Sequence, residues 1–163
     1  MSHDLEMEQI IRNDFGIAPQ LCSRNVDFKF TDEEINHPHI KGYHCNKNDV
    51  KFAIMECESN KILFSMDFYK PNNPRAFGTH GKFKLELVYV HDPSLRGLGI
   101  GTYYINKLKE YMKENGGSTL SIVAESNADV FKNDNSIKTS KKDLIKYYKK
   151  FEDDDIKIEI INA

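Results

Sequence analysis

Three glycines alternate in the segment Val88-Tyr-Val-His-Asp-Pro-Ser-Leu-Arg-Gly-Leu-Gly-Ile-Gly101, where an apolar strand pattern gives way to an amphipathic helix pattern. Residues of this type and spacing suit anion binding. Glycine admits positive φ and lets the backbone approach a ligand with no Cβ in the way, while the first amides of the following helix have no acceptor within it. Those donors and the helix dipole together favour a phosphate or pyrophosphate. A P-loop is excluded, because its last glycine is followed by Lys and then Ser or Thr, whereas Gly101 precedes Thr102-Tyr103. A dinucleotide fingerprint comes closer, since Gly97 and Gly99 have its spacing and Glu125 ends the next strand pattern. Its third glycine, however, would fall at Thr102.

Other reactive side chains are less specific in their spacing. His37, His39, His44 and Cys45 match none of the paired-ligand patterns of zinc sites and read as a polar loop, so no metal is expected. Cys22, Cys45 and Cys57 form neither a CxxC pair nor an even framework, which suits reduced thiols. Cys57, within a strand pattern, reads as a small buried hydrophobe.

The elements that must hold the glycine turn follow from periodicity. Ser2 or Asp4 is placed to cap a helix carrying Met7, Ile10, Ile11 and Phe15 on one face, which Gly16 ends. A short strand follows Asn25, then a capped turn at Thr31-Asp-Glu-Glu, and residues 37–45 read as loop. Val50 to Cys57 and Ile62 to Tyr69 form a hairpin, and Pro71 to Gly81 a second loop. In the strand Lys82 to Val90, Phe83, Leu85 and Leu87 alternate, but Val88 and Val90 take the opposite parity. That switch predicts burial on both faces or a bulge near Leu87. Ile100, Tyr104, Ile105, Leu108, Tyr111 and Met112 share a helical face that ends at Gly116-Gly117. Thr119 to Ala124 is the next strand, so the turn belongs to a strand–helix–strand unit with parallel pairing and a right-handed crossover. A long polar connection from Asn127 to Ser140 precedes a helix at Lys141 to Phe151 and a last strand at Ile156 to Ile161. The fold class is mixed α/β, an antiparallel meander followed by one parallel βαβ unit and a final helix and strand.

Arg96-Gly-Leu-Gly-Ile-Gly101, with a strand and Asp92-Pro93 before it, resembles the acetyl-CoA signature Q/RxxGxG/A of the GNAT N-acetyltransferase superfamily. The order of elements from about Asp49 to Phe151 resembles that family as well. The resemblance implies a splayed parallel strand pair and acetyl-CoA as co-substrate. It implies that the pyrophosphate rests on backbone amides of Arg96, Gly97, Leu98, Gly99, Ile100, Gly101 and Thr102. The pantetheine arm would pair with the strand at Leu87, Val88 and Val90, while Thr119 to Ala124 diverges. Direct transfer to an amine of a small molecule or protein requires a base for the amine and a proton donor for the departing sulfur. Relatives often use a tyrosine in the last helix as donor, within a pattern like LYxxxGF. Tyr148 matches it, with Glu152-Asp153 where the pattern has Gly-Phe, and Tyr147 is the fallback. On its own helix Tyr148 also reads as a core tyrosine facing inward with Leu144, Ile145 and Phe151. Glu86 lies on the strand where relatives carry a carboxylate, and reads either as the base or as a solvated residue opposite Leu85 and Leu87. His91 ranks below it. A catalytically silent CoA-binding sensor or interaction module is the competing reading, and the missing Gly-Phe is its support.

Composition bounds these readings. The 163 residues, 39% hydrophobic and 29% charged, suit one soluble domain over residues 1–163. A net charge of -2 with mixed signs gives no basic stripe, so nucleic acid is not an expected partner. The polar start of the chain and the lack of long apolar runs point away from secretion and membranes, and to the cytoplasm. The last strand, with no hairpin partner after it, makes a homodimer an expected possibility.

Overall fold

Alternating apolar residues in three consecutive strands build the centre of one mixed sheet. In the computed structural model, which describes residues 3–36, 41–74, 81–123 and 141–161, β3 (Asp49–Glu56), β4 (Lys61–Tyr69) and β5 (Lys82–Val90) form the expected antiparallel meander. Phe52, Ile54, Phe64, Met66, Phe68, Phe83 and Leu85 are buried in the main core. Ala53 and Met55 join Ile35 and Tyr43 in a smaller cluster. β1 (Val26–Lys29) and β2 (His44–Cys45) both pair antiparallel with β3. The two-residue β2 lies where the sequence read only loop, because a strand so short has no periodicity to detect.

β6 (Thr119–Val123) pairs parallel with β5, and β7 (Lys157–Ile161) pairs parallel with β6, so the sheet order is β1-β3-β4-β5-β6-β7. The last strand is therefore paired along its length within the chain, and only its outer edge is left for another copy. Residues 37–40, 75–80 and 124–140 lie outside the described residues. They include His37, His39, Glu125 and the connection expected from Asn127 to Ser140.

The helices follow their local signals. Asp4 accepts from Met7 N and caps α1 (Leu5–Gln9), which runs on as a π-helical turn over Ile10–Phe15. Thr31 caps α2 (Asp32–Ile35) by accepting from Glu34 N. α3 (Ile100–Glu114) buries Ile100, Tyr104, Ile105, Leu108, Tyr111 and Met112, the face its spacing predicts. The Tyr104 ring stacks on Phe64 with centroids 4.7 Å apart, and its hydroxyl donates to Gly16 O and accepts from Ala18 N. α4 (Lys141–Lys149) carries Tyr148 into the main core. Among the described residues no helix is long and apolar enough to cross a membrane. Cys57, expected to be buried, is exposed, because β3 ends one residue earlier at Glu56.

The parity switch in β5 has a definite origin. Asp67 pairs with Leu87 and Phe68 with Leu85, so Glu86 is an extra residue bulging from the β4–β5 ladder. The bulge returns Val88 to the face of Met66, its direct partner, and turns Leu87 to the face of Asp67. Pairing of β5 with β6 covers only Lys82 to Leu85 and stops at this bulge. Among the described residues, 86–90 have no ladder partner on the β6 side.

Candidate active site

Two residues set the glycine turn in place. Asp92 accepts from Ser94 N and caps the 3-10 turn Pro93–Leu95. Arg96 folds back on the strand it follows: Nε donates to Val90 O at 2.9 Å, one terminal nitrogen donates to the Tyr89 hydroxyl at 2.9 Å, and the guanidinium lies 5.3 Å from the Tyr89 ring centre. Its side chain therefore fixes the turn. Gly97 and Gly99 have φ of 80° and 91°, values that side-chain-bearing residues rarely adopt. Nothing lies within 4 Å of where a Gly97 Cβ would stand. Gly99 is the N-cap of α3 and no side chain caps the helix, whose first backbone bond runs from Tyr103 N to Gly99 O. Gln20 holds the turn from outside, donating to Leu98 O at 2.9 Å.

The end of β5, the turn, the start of α3 and α4 line a cavity of about 390 Å³. Val88, Val90, Arg96, Gly97, Gly99, Ile100, Gly101, Thr102 and Tyr148 all line it. Leu87 and Leu98 do not: Leu87 is turned to the other face by the bulge, and the Leu98 side chain is 51% exposed to solvent. Tyr89, Leu144 and Tyr147 also line the cavity. Tyr89 carried a signal in its one-residue distance from the parity switch. Leu144 carried none beyond its place on the face of Tyr148.

Adjacent tyrosines have different surroundings. The Tyr147 hydroxyl is 2.9 Å from Thr102 Oγ1, which ties α4 to the first turn of α3. Tyr148 is 8% exposed, and its hydroxyl makes no hydrogen bond among the described residues. Burial, helped by the neighbouring Tyr147, pushes the Tyr148 phenol up to about 12. It is thus a protonated, uncommitted donor facing a cavity. Gly101 brings α3 close: a Cβ there would sit 3.2 Å from Val88 Cγ1 and 3.5 Å from the Tyr147 hydroxyl.

Glu86 is elsewhere. It lines a separate hollow with Asp49, Asp67, Tyr69 and Lys84, and pairs with Lys84 Nζ at 2.8 Å. His91 Nε2 is 2.9 Å from the buried Ser65 hydroxyl, which also meets Tyr43. The two acids standing where Gly-Phe is usual have structural work. Asp153 pairs with Lys109 at 2.7 Å and accepts from Ile156 N, and Glu152 accepts from Ile158 N. They pin the turn between α4 and β7 to α3 and to the start of β7, so the departure from the pattern has a structural cause.

The sequence model of the Acetyltransferase (GNAT) family matches residues 22–135. No curated protein matches the chain at a significant level. Among solved structures, a ribosomal-protein-alanine N-acetyltransferase from Brucella melitensis biovar Abortus 2308 is similar at a TM-score of 0.50 and 16% identity, over 78% of this chain and 91% of that one. An aminoglycoside acetyltransferase from an uncultured soil metagenomic sample, in complex with sisomicin, gives 0.43 and 12% over 67% and 83%. A transcriptional regulator from Bacillus halodurans C-125 gives 0.39 and 20%, over 51% of this chain, which spans 53% of that protein. At these identities the likeness is one of fold.

Proposed function

Because this chain belongs to the acetyltransferase (GNAT) family, we propose that it transfers the acetyl group of acetyl-CoA to an amine of a small molecule or protein by direct attack within a ternary complex. The observation that carries this reading is the cavity between the end of β5, the glycine turn and α4. Its lining fits the co-substrate. The uncapped start of α3 and the open space at Gly97 suit a pyrophosphate, which backbone amides of residues 96–102 would hold. Beyond the bulge β5 has no β6 partner among the described residues, and an amide-bearing arm would pair there with backbone of Leu87, Val88 and Val90, where Val90 O already accepts from Arg96 Nε. When bound, acetyl-CoA supplies an activated acyl thioester.

Tyr148 is the residue that would protonate the departing sulfur at its hydroxyl, since that hydroxyl lines the cavity and is committed to no other group. Glu86, on the bulge, would take the proton of an amine arriving through its own hollow. We place the reaction in the cytoplasm, with no metal, nucleic acid or membrane required. The test is a panel of small amines and amino-terminal peptides with acetyl-CoA, read by release of free thiol. Turnover on at least one amine is expected, with Glu86→Gln lowering kcat/KM by roughly tenfold or more. Saturable CoA binding with no turnover on any amine would replace this reading by the silent binding module.

A further inference from the structure

We propose that His44, Asp49 and Asp67 form a binding site for a divalent transition-metal cation such as Zn²⁺. The site borders the hollow that Glu86 also lines, but metal binding there does not depend on acyl transfer. It is built from three neighbouring strands: β2 brings His44, β3 Asp49 and β4 Asp67, and one ligating atom from each lies within 4.8 Å of the other two. An imidazole with two carboxylates is a donor set for Zn²⁺, Mn²⁺ or Fe²⁺, whereas Mg²⁺ and Ca²⁺ prefer oxygen alone.

The state of His44 carries the argument. Its Nδ1 lies 2.5 Å from Gly42 O. A carbonyl has no proton to give, so Nδ1 carries a hydrogen and Nε2 is the ring nitrogen turned toward the carboxylates. This is the outer-shell arrangement that orients metal-ligating histidines. Nε2 is closed to solvent and has no hydrogen-bond partner, although Asp49 Oδ1 is only 3.1 Å away. The carboxylate thus approaches outside hydrogen-bond geometry. A proton shared between them would lie on the bond axis, but a cation bound to both need not. Two atoms each about 2.0–2.2 Å from one ion stand at about this separation.

The surroundings favour such an ion. Lys51 lies between His44 and Asp67 in the strand register, and its ammonium donates to Lys41 O at 2.7 Å and lies over the Tyr43 ring. Asp49 and Asp67 line the hollow of about 470 Å³, which leaves room at the carboxylates for water or a further ligand. Cys45, next to His44, points into the core and takes no part.

Calorimetric titration of the full chain with ZnCl₂ is the test, with MgCl₂ as the oxygen-preferring control. One Zn²⁺ is expected per chain, with a micromolar-range Kd weakened at least about tenfold in both His44→Ala and Asp67→Asn. Circular dichroism checks that each variant folds. If either is unfolded, Asp49→Asn and the visible spectrum of Co²⁺ added to the unaltered protein replace it, a nitrogen–oxygen ligand spectrum being expected. Absence of Zn²⁺ binding, binding unchanged in these variants, or a thiolate-type Co²⁺ spectrum would overturn the proposal.

Discussion

Replacing Tyr148 by phenylalanine is expected to lower kcat by roughly a hundredfold while acetyl-CoA still binds. The ring that fills the core between α4 and the sheet is kept, so the substitution removes one hydroxyl that has no structural partner among the described residues. A positioned acid contributes about 10²–10⁴ to rate, and the lower end applies because a thiol leaves more readily than an alcohol or amine. The pH profile gives the second readout. Burial raises the phenol to about 12, so the proton to be donated is present across the neutral and alkaline range and is lost only near that value. No falling limb due to Tyr148 is expected below about pH 11. Tyr147→Phe serves as the internal comparison, because that hydroxyl is spent on Thr102, and it is expected to change kcat by less than about fivefold. Equal losses in the two variants would remove Tyr148 from the donor role.

Gly101→Leu is expected to abolish acetyl-CoA binding in a protein that still folds. Gly101 is in the first turn of α3 with helical backbone, so a larger residue meets no conformational penalty there. What it meets is Val88 and Tyr147, already 3.2 and 3.5 Å from its Cβ position, and beyond them the cavity itself. A leucine fills the space between β5, α3 and α4. The expected loss of affinity is at least about a hundredfold, or about 3 kcal/mol. Gly101→Ala, whose methyl needs only a few tenths of an ångström of adjustment, should bind measurably. Titration calorimetry on the two variants separates occlusion of the cavity from damage to the fold.

Much of this site was legible in the sequence because it is local. The glycine turn, the strand before it and the helix after it are contiguous from Lys82 to Glu114, and the parity switch at Val88 reported the bulge between β4 and β5. Contacts between distant segments were hidden. Nothing in the sequence says that Arg96 spends its guanidinium on Val90 and Tyr89, or that Tyr147 reaches Thr102 across 45 residues. The cluster of His44 with Asp49 and Asp67 was missed for the same reason. Sequence spacing set His44 beside Cys45, whereas strand pleating sends the two neighbours to opposite faces and register brings β4 across. Glu86 shows the limit of parity reasoning, since a bulge residue obeys no alternation and its hollow appears only once β3 and β4 are laid beside it.

Acetyl-CoA is proposed to occupy the cavity between the end of β5, the glycine turn and α4. The most direct measurement is the melting temperature of the unaltered chain as acetyl-CoA is added. Ligand at a hundred times its Kd stabilises the folded state by about 2.7 kcal/mol, which for a chain of this length raises the Tm by about 5–10 °C. The account predicts that rise for acetyl-CoA and its absence in Gly101→Leu. An unchanged Tm in millimolar acetyl-CoA would contradict it.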